Sequence, residues 1–291
     1  EHPKLIVGFN AGHSRSLDSD AAQRISDTMR LREKIEMLKL IGFNTLFVPH
    51  FNARLAATSA QDFVEKILHD KLGARHVVTG DNFCFGAKRG GNSAFLKEKS
   101  AELGIGYSAI APVAHVGKVI SSTAIRECLA QGNIAEANAL LGHSYKICGH
   151  VTHGDKRGRL LGFPTANIPM GKLFLPRAGV YQVRVVPSPI WGGLGWRLSC
   201  SEDNNLSPSV DAPLPASPNR GEGIGVMNVG IRPTFGGTEP RAEIHLFDFS
   251  GDLYGKYLRV ELIKFLRDEM KFTSPEALKE QIMRDCEMAK L

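Results

Sequence analysis

Apolar positions recur every three or four residues in the first part of this chain and every second residue in the last. In "RLREKIEMLKLIG", Leu31, Ile35, Leu38 and Ile41 share one helical face, and Gly42 ends the run. The stretch "NTLFVP" then reads as a short buried strand. In "TSAQDFVEKILHDKLG", Ser59 is placed to cap a helix, Phe63, Ile67 and Leu68 form its apolar stripe, and Gly73 closes it. "RHVVTG" and "IGYSAIAPV" are further strands, while "SSTAIRECLAQG" and "IAEANALLG" are helices ending at Gly132 and Gly142. Strands alternating with helices predict a mainly parallel sheet with helices on its faces.

From about Tyr145 the period changes to two. "YKICGHVT", "GVYQVRVV", "GIGVMNVG", "AEIHLFDF" and "YLRVELIKFL" are β-type runs separated by Gly and Pro turns, most simply a small barrel. A C-terminal helix follows, with Ser274 as cap, Pro275 at its first position, and Leu278, Ile282 and Ala289 near one face. The expected domains are 1–143, an α/β unit, and 144–291, a β unit. Residues 187–223 fit neither pattern. They are crowded with Pro, Ser and Gly and predict a mostly disordered insertion between two strands; docking of Trp191 and Trp196 on a partner is the alternative, and a bland role for them is the preferred reading.

Composition narrows the class. The 291 residues suffice for two domains, and 43% hydrophobic with 23% charged content is that of a globular protein. No apolar run approaches the roughly 20 residues that span a bilayer, and no signal peptide is visible. Five scattered cysteines without a C-x-x-C pair predict reduced thiols and a cytoplasmic location. His150 and His153 lack a second ligand pair nearby, so zinc is not favoured. The net charge of +6 suits nucleic acid or phosphate-rich small molecules. With no RNA-binding or zinc-finger signature, the small-molecule reading is preferred, with neither nucleic acid nor membrane as partner.

No G-x-x-x-x-G-K-[ST] and no G-x-G-x-x-G after a strand occur, which argues against a P-loop kinase and a dinucleotide site. "GDKRGRLLGFPTAN" offers another route to phosphate. Gly154, Gly158 and Gly162 let backbone N–H groups approach phosphate oxygens, and Lys156, Arg157 and Arg159 offset negative charge. Thr165 and Asn167, two apart in an extended segment, face the same side with hard oxygen donors suited to Mg²⁺. The competing reading is a basic turn leading into a strand. A phosphoryl acceptor also needs a proton acceptor. Glu243 is the candidate, sharing a strand face with His245 and Phe247 and expected at a barrel mouth; an exposed strand glutamate is the alternative.

"HGDKRGRLLGFPTANI", "GVY" (179–181), "NVGIRPTFGG" (228–237), "EIHLFDFSGDLYG" (243–255) and "FLRDEMKF" (265–272) together resemble the riboflavin kinase module, in order and spacing, across 145–291. The first part is similar to that module's bacterial companion, the FMN adenylyltransferase domain. The whole therefore resembles bifunctional riboflavin kinase/FAD synthetases. The resemblance implies a Rossmann-like nucleotidyltransferase α/β domain followed by a six-stranded Greek-key β-barrel. It implies that Thr165 and Asn167 contact Mg²⁺ of Mg-ATP, that the loop around Gly158 and Gly162 covers the phosphates, and that Glu243 activates the ribityl 5′-hydroxyl. It further implies that the segment around Arg267 closes over the flavin, with riboflavin, FMN and FAD as substrates and products. In the first domain, "GDNFCFGAKRGG" (80–91), with Asn82, is similar to the family's flavin- and nucleotide-contacting loop. "ISSTAIR" (120–126) matches the nucleotidyltransferase superfamily's second signature, with Ser122, Thr123 and Arg126 as an anion site at a helix N-terminus.

One departure stands at the beginning. The family's histidine loop after the first strand has no counterpart; "VGFNAGHS" (7–14) lacks its Asp-Gly and first histidine, and "EHP" resembles a segment normally downstream of it. Gly12-His13 is read as a lookalike. The chain is accordingly expected to phosphorylate riboflavin, with FMN adenylylation weak or absent.

Overall fold

A computed structural model describes residues 5–7, 28–43, 45–49, 52–154, 158, 162–171, 173–186, 223–234, 237–249 and 251–290. Gly12-His13, Lys156, Arg157, Arg159, Cys200, Trp191, Trp196 and all but Gly223 of the 187–223 segment lie outside the described residues. The chain divides into two compact units. One holds 1–16, 45–120 and 197–204; the other holds 17–44, 121–196 and 205–291.

In the first unit, β1 (Leu5–Val7) pairs in parallel with β2 (Thr45–Phe47). Likewise β3 (His76–Gly80) pairs in parallel with β6 (Gly106–Ile110). The expected parallel pairing is thus observed as two separate pairs. The Ser59 hydroxyl accepts from the Asp62 N–H at 3.0 Å, starting a short helix that widens into a π-helix over Phe63–Lys71. Phe63, Val64 and Leu68 from that helix, with Phe85 and Leu96, are the unit's core. Of the predicted stripe, Phe63 and Leu68 are buried, Ile67 packs against them only partly buried, and Val64 joins the core in addition.

Among the described residues of the second unit, six strands form an antiparallel sheet in the order β10–β13–β12–β11–β14–β9. They are β9 (Lys146–His150), β10 (Ala166–Pro169), β11 (Gly179–Val186), β12 (Gly223–Thr234), β13 (Gly237–Leu246) and β14 (Tyr257–Asp268). Three consecutive strands with β14 returning beside β11 make the Greek key. The sheet curls until Thr152, just beyond β9, bridges Asn167 of β10. Alternation then sorts the side chains. Ile147, Ile168, Tyr181, Val183, Met227, Val229, Ala242, Ile244, Leu258, Val260 and Leu262 are buried and fill the interior. The outer face is left for other partners.

Helix α5 (Ser122–Gln131) and α6 (Ile134–Leu141) end at Gly132 and Gly142, both left-handed, as their sequence predicts. Asn138 of α6 docks on the barrel, donating to the Leu262 carbonyl at 3.0 Å and accepting from the Tyr145 N–H at 2.7 Å. Helix α1 (Leu31–Leu40) departs from its expected face. Leu31 and Ile41 are exposed, and Glu33 is buried instead. The cause is polar pairing with β14: the Tyr257 hydroxyl donates to Glu33, Arg259 pairs with Glu36, and the Arg32 guanidinium lies over the Tyr257 ring. Burial outweighs the neighbouring cations and holds the Glu36 carboxyl above its usual range.

Helix α7 (Pro275–Lys290) lies on the outer face of β11, β12 and β14, with Ala289 packed on Val180 and Val226. Its other buried residue is Asp285, a position that apolar periodicity does not reveal. Asp285 takes both arms of Arg267 at 2.8 and 2.6 Å, and Gln281 at 2.9 Å. A fork-to-fork pair at this burial is costly to break from one side. Among the described residues no helix is long and apolar enough to cross a membrane, and Cys84, Cys148 and Cys286 are free thiols. Burial raises the Cys148 thiol well above the ordinary range, so it stays protonated. Asp285→Ala should cost about 3 kcal/mol, read as a lower denaturation midpoint in urea. An unchanged midpoint would show that α7 is held by its apolar contacts alone.

Candidate functional site

One row of residues crosses the outer face of the barrel. Asn167 on β10 is paired with Glu243 on β13, Glu243 with Asn228 on β12, Asn228 with Val180 on β11, and Val180 with Arg267 on β14. Residues directly opposite in an antiparallel sheet point to the same face, with Cβ atoms about 5 Å apart. Ala242 and Ile244 flank Glu243 and are buried in the barrel, so the carboxylate projects outward. The expectation that it lies at the barrel mouth is corrected to the outer wall. The interior is filled by apolar side chains and has no room for a charged one.

Asn167 is on this outer face yet only 6% exposed, and Gly154 lies against its amide. A β-carbon added to Gly154 would fall 2.4 Å from the Asn167 amide nitrogen and 2.8 Å from its Oδ1. Glycine is therefore required there by close approach. At Gly158 the same addition would meet the Phe163 carbonyl at 2.4 Å and the Thr165 hydroxyl at 3.4 Å. Gly162 is different. Nothing stands within 4 Å of it, but its φ of +89° is left-handed. The Phe163 N–H donates to the Gly158 carbonyl at 2.8 Å, closing the turn just before Thr165. At the other end, Thr152 donates its N–H to the Asn167 carbonyl at 2.8 Å. The loop thus leaves and rejoins the barrel at the same residue.

The structure brings Gly154, Gly158, Thr165, Asn167 and Glu243 together. It also adds Asn228, which the sequence reading did not single out, because cross-strand register is set by residues far apart in the chain. Asn228 lies 3.5 Å from Glu269, its Nδ2 facing Oε1. Arg267 ends the row, but its guanidinium is committed to Asp285 rather than to open space. Asn82 is exposed in the turn after β3, in the first unit. Ser122, Thr123 and Arg126 belong to the second unit, where Ser121 accepts from the Ala124 N–H at 3.1 Å and so is the cap itself. Arg126 reaches back toward the Thr123 hydroxyl at 3.5 Å. A cavity under α1, lined by Glu33, Glu36, Tyr145, Lys146 and Arg259, includes none of the candidate residues.

Among the described residues no three His, Cys, Asp or Glu side chains gather as a metal cage. The outer-face site instead offers a hydroxyl and an amide oxygen, a donor set that suits Mg²⁺ carried on phosphate rather than bound by protein alone. A carboxylate beside such donors, under a glycine loop, is the equipment for moving a phosphoryl group to a hydroxyl.

Comparison with known proteins converges on the same halves. A riboflavin kinase family model matches residues 141–291, and an FAD synthetase model matches residues 1–124. A bifunctional riboflavin kinase/FMN adenylyltransferase of Escherichia coli K12 is 39% identical over 256 residues, covering 88% of this chain and 72% of its own. That of Haemophilus influenzae is 38% identical over 262 residues, covering 90% and 75%. A solved structure of a macrolide-efflux protein from Streptococcus pneumoniae superposes with a TM-score of 0.76 at 27% identity, covering 99% of this chain and 83% of that one.

The two kinds of glycine predict different costs. Gly154→Ala should destabilise by about 1–3 kcal/mol through overpacking against Asn167. Gly162→Ala should cost only the left-handed strain, about 1–2 kcal/mol, and leave Asn167 in place. Side-chain amide NMR shifts of Asn167 distinguish them: they should move in Gly154→Ala and not in Gly162→Ala.

Proposed function

The chain belongs to the bifunctional riboflavin kinase/FMN adenylyltransferase family, and on that premise we propose how its residues divide the work. Residues 144–291 transfer the γ-phosphoryl group of Mg-ATP to the 5′-hydroxyl of riboflavin, giving FMN and ADP. Residues 1–143 serve the family's second reaction, adenylylation of FMN to FAD. Asn82 is the contact proposed for that reaction in the first unit; Ser122, Thr123 and Arg126 at the start of α5 are proposed separately as an anion site of the second.

The observation that carries the kinase reading is the cross-strand row Asn167–Glu243–Asn228 under the Gly154 backbone. In this reading Thr165 Oγ1 and Asn167 Oδ1 hold the Mg²⁺ of Mg-ATP, which draws charge off the phosphate oxygens. Gly154, Gly158 and Gly162 let backbone N–H groups approach the phosphates, while Lys156 and Arg159 lie outside the described residues. Glu243 accepts the proton of the ribityl 5′-hydroxyl as that oxygen bonds to the γ-phosphorus and the bond to ADP breaks. Arg267 serves the flavin side of the site through Asp285, by keeping α7 along the outer face. Among the described residues, the free thiols Cys84, Cys148 and Cys286 support a reducing compartment, the cytoplasm, for this chemistry.

A nucleic-acid-binding module is not favoured, since neither family match points to one. An adenylyltransferase with a merely flavin-binding barrel leaves the kinase match over 141–291 without an explanation. With riboflavin and Mg-ATP, Glu243→Gln should lower turnover about 10²-fold or more while leaving the KM for Mg-ATP nearly unchanged. Chromatography of the flavin products reads both. Turnover near that of the parent protein would reject Glu243 as the base.

A further inference from the structure

The ladder between β10 and β13 runs from Pro169–Arg241 to Ala166–Ile244 and ends there. The next residue back along the chain that offers a carbonyl toward β13 is Pro164, which has no N–H to give. A side chain takes that carbonyl. His245 Nδ1 lies 3.0 Å from the Pro164 oxygen. A carbonyl only accepts, so Nδ1 carries the proton and Nε2 is left as the acceptor. The ring is also held on two sides, meeting Phe163 edge-on at 5.3 Å and Phe247 at 6.0 Å.

His245 is two residues from Glu243 on the same strand face, and Pro164 immediately precedes Thr165. The imidazole therefore ties the turn carrying the Thr165 hydroxyl to the strand carrying the carboxylate, one step beyond the last ladder pair. Among the described residues, this tie adds an anchor on the β13 side to the one from Asn167, whereas the Phe163-to-Gly158 hydrogen bond is internal to the loop. We propose that His245 is a positioning residue of the kinase site: it holds Phe163-Pro164-Thr165 against β13 and so fixes Thr165 relative to Glu243. This rests on the assignment of Thr165, Asn167 and Glu243 made above. The ring touches the loop and not the reacting groups, so its effect falls on Mg-ATP binding.

Two substitutions separate the hydrogen bond from the ring. His245→Phe keeps the packing against Phe163 and Phe247 but removes the donor. His245→Asn removes the ring and can place an amide N–H near the Nδ1 position. His245→Phe should raise the KM for Mg-ATP and the calorimetric Kd for Mg-ADP about threefold to tenfold, the range for one lost hydrogen bond. The KM for riboflavin and the melting temperature should change little. His245→Asn should recover nucleotide binding to within about twofold of the parent. Unchanged Mg-ADP binding in His245→Phe would overturn the proposal. So would equal losses in both variants accompanied by a matching fall in melting temperature, which would make the residue merely structural. Glu243→Gln, measured alongside, keeps the premise separate. Near-normal turnover there would remove the site assignment itself, whatever the His245 variants bind.

Discussion

The antiparallel pairing of the edge strand β10 with β13, one strand from the β9–β10 closure of the barrel, is the constraint on which the site depends. Its register puts Ala166 opposite Ile244 and Ile168 opposite Ala242 inside, and Asn167 opposite Glu243 outside. A slip of one residue would exchange the two sets, driving an amide and a carboxylate into an apolar interior. The same hydrophobic burial that closes the barrel therefore aims the polar pair outward. Thr152, bridging to Asn167 from the other edge, ties closure and site to a single residue.

Around this pair the fold adds two borders. The glycine segment lies against Asn167 at a distance only a hydrogen on Cα allows, and it returns to the barrel through the Phe163–Thr165 turn. On the far side α7 covers the row where it reaches Val180 and Arg267. Apolar contact alone would leave α7 free to slide, since Ala289 and Cys286 are small. The Arg267–Asp285 fork gives it a defined position, at the expense of desolvating two charges that must stay paired. Glu243, Asn228 and His245 lie between these borders, on strands rather than on loops.

Much of this was legible in the chain. Two-residue alternation located the barrel strands and set Glu243 and His245 on one face; the spacing of Thr165 and Asn167 set their oxygen donors on a common side. Caps at Ser59 and Ser274 and the left-handed glycines at 132 and 142 marked helix ends through local geometry. What escaped was non-local or polar. Asn228 gains meaning only from its register with Glu243, some fifteen residues away. Asp285 and Glu33 are buried because Arg267 and Tyr257 meet them from distant strands, whereas a hydrophobic pattern assigns such residues to solvent. The expected apolar face of α1 gave way for that reason. The pairing of the Arg267 guanidinium with Asp285 was likewise not legible, since it joins a strand to a helix eighteen residues on.

The proposed assignment of Thr165, Asn167 and Glu243 puts phosphoryl transfer on the outer wall of the barrel, beside the seam, and not within it. A crystal structure with riboflavin and a non-hydrolysable Mg-ATP analogue tests this directly. The account predicts the ribityl 5′-oxygen within about 2.6–3.2 Å of a Glu243 oxygen, and the metal about 2.1 Å from Thr165 Oγ1 and Asn167 Oδ1. A flavin or nucleotide seated elsewhere, or a metal touching neither residue, would contradict it.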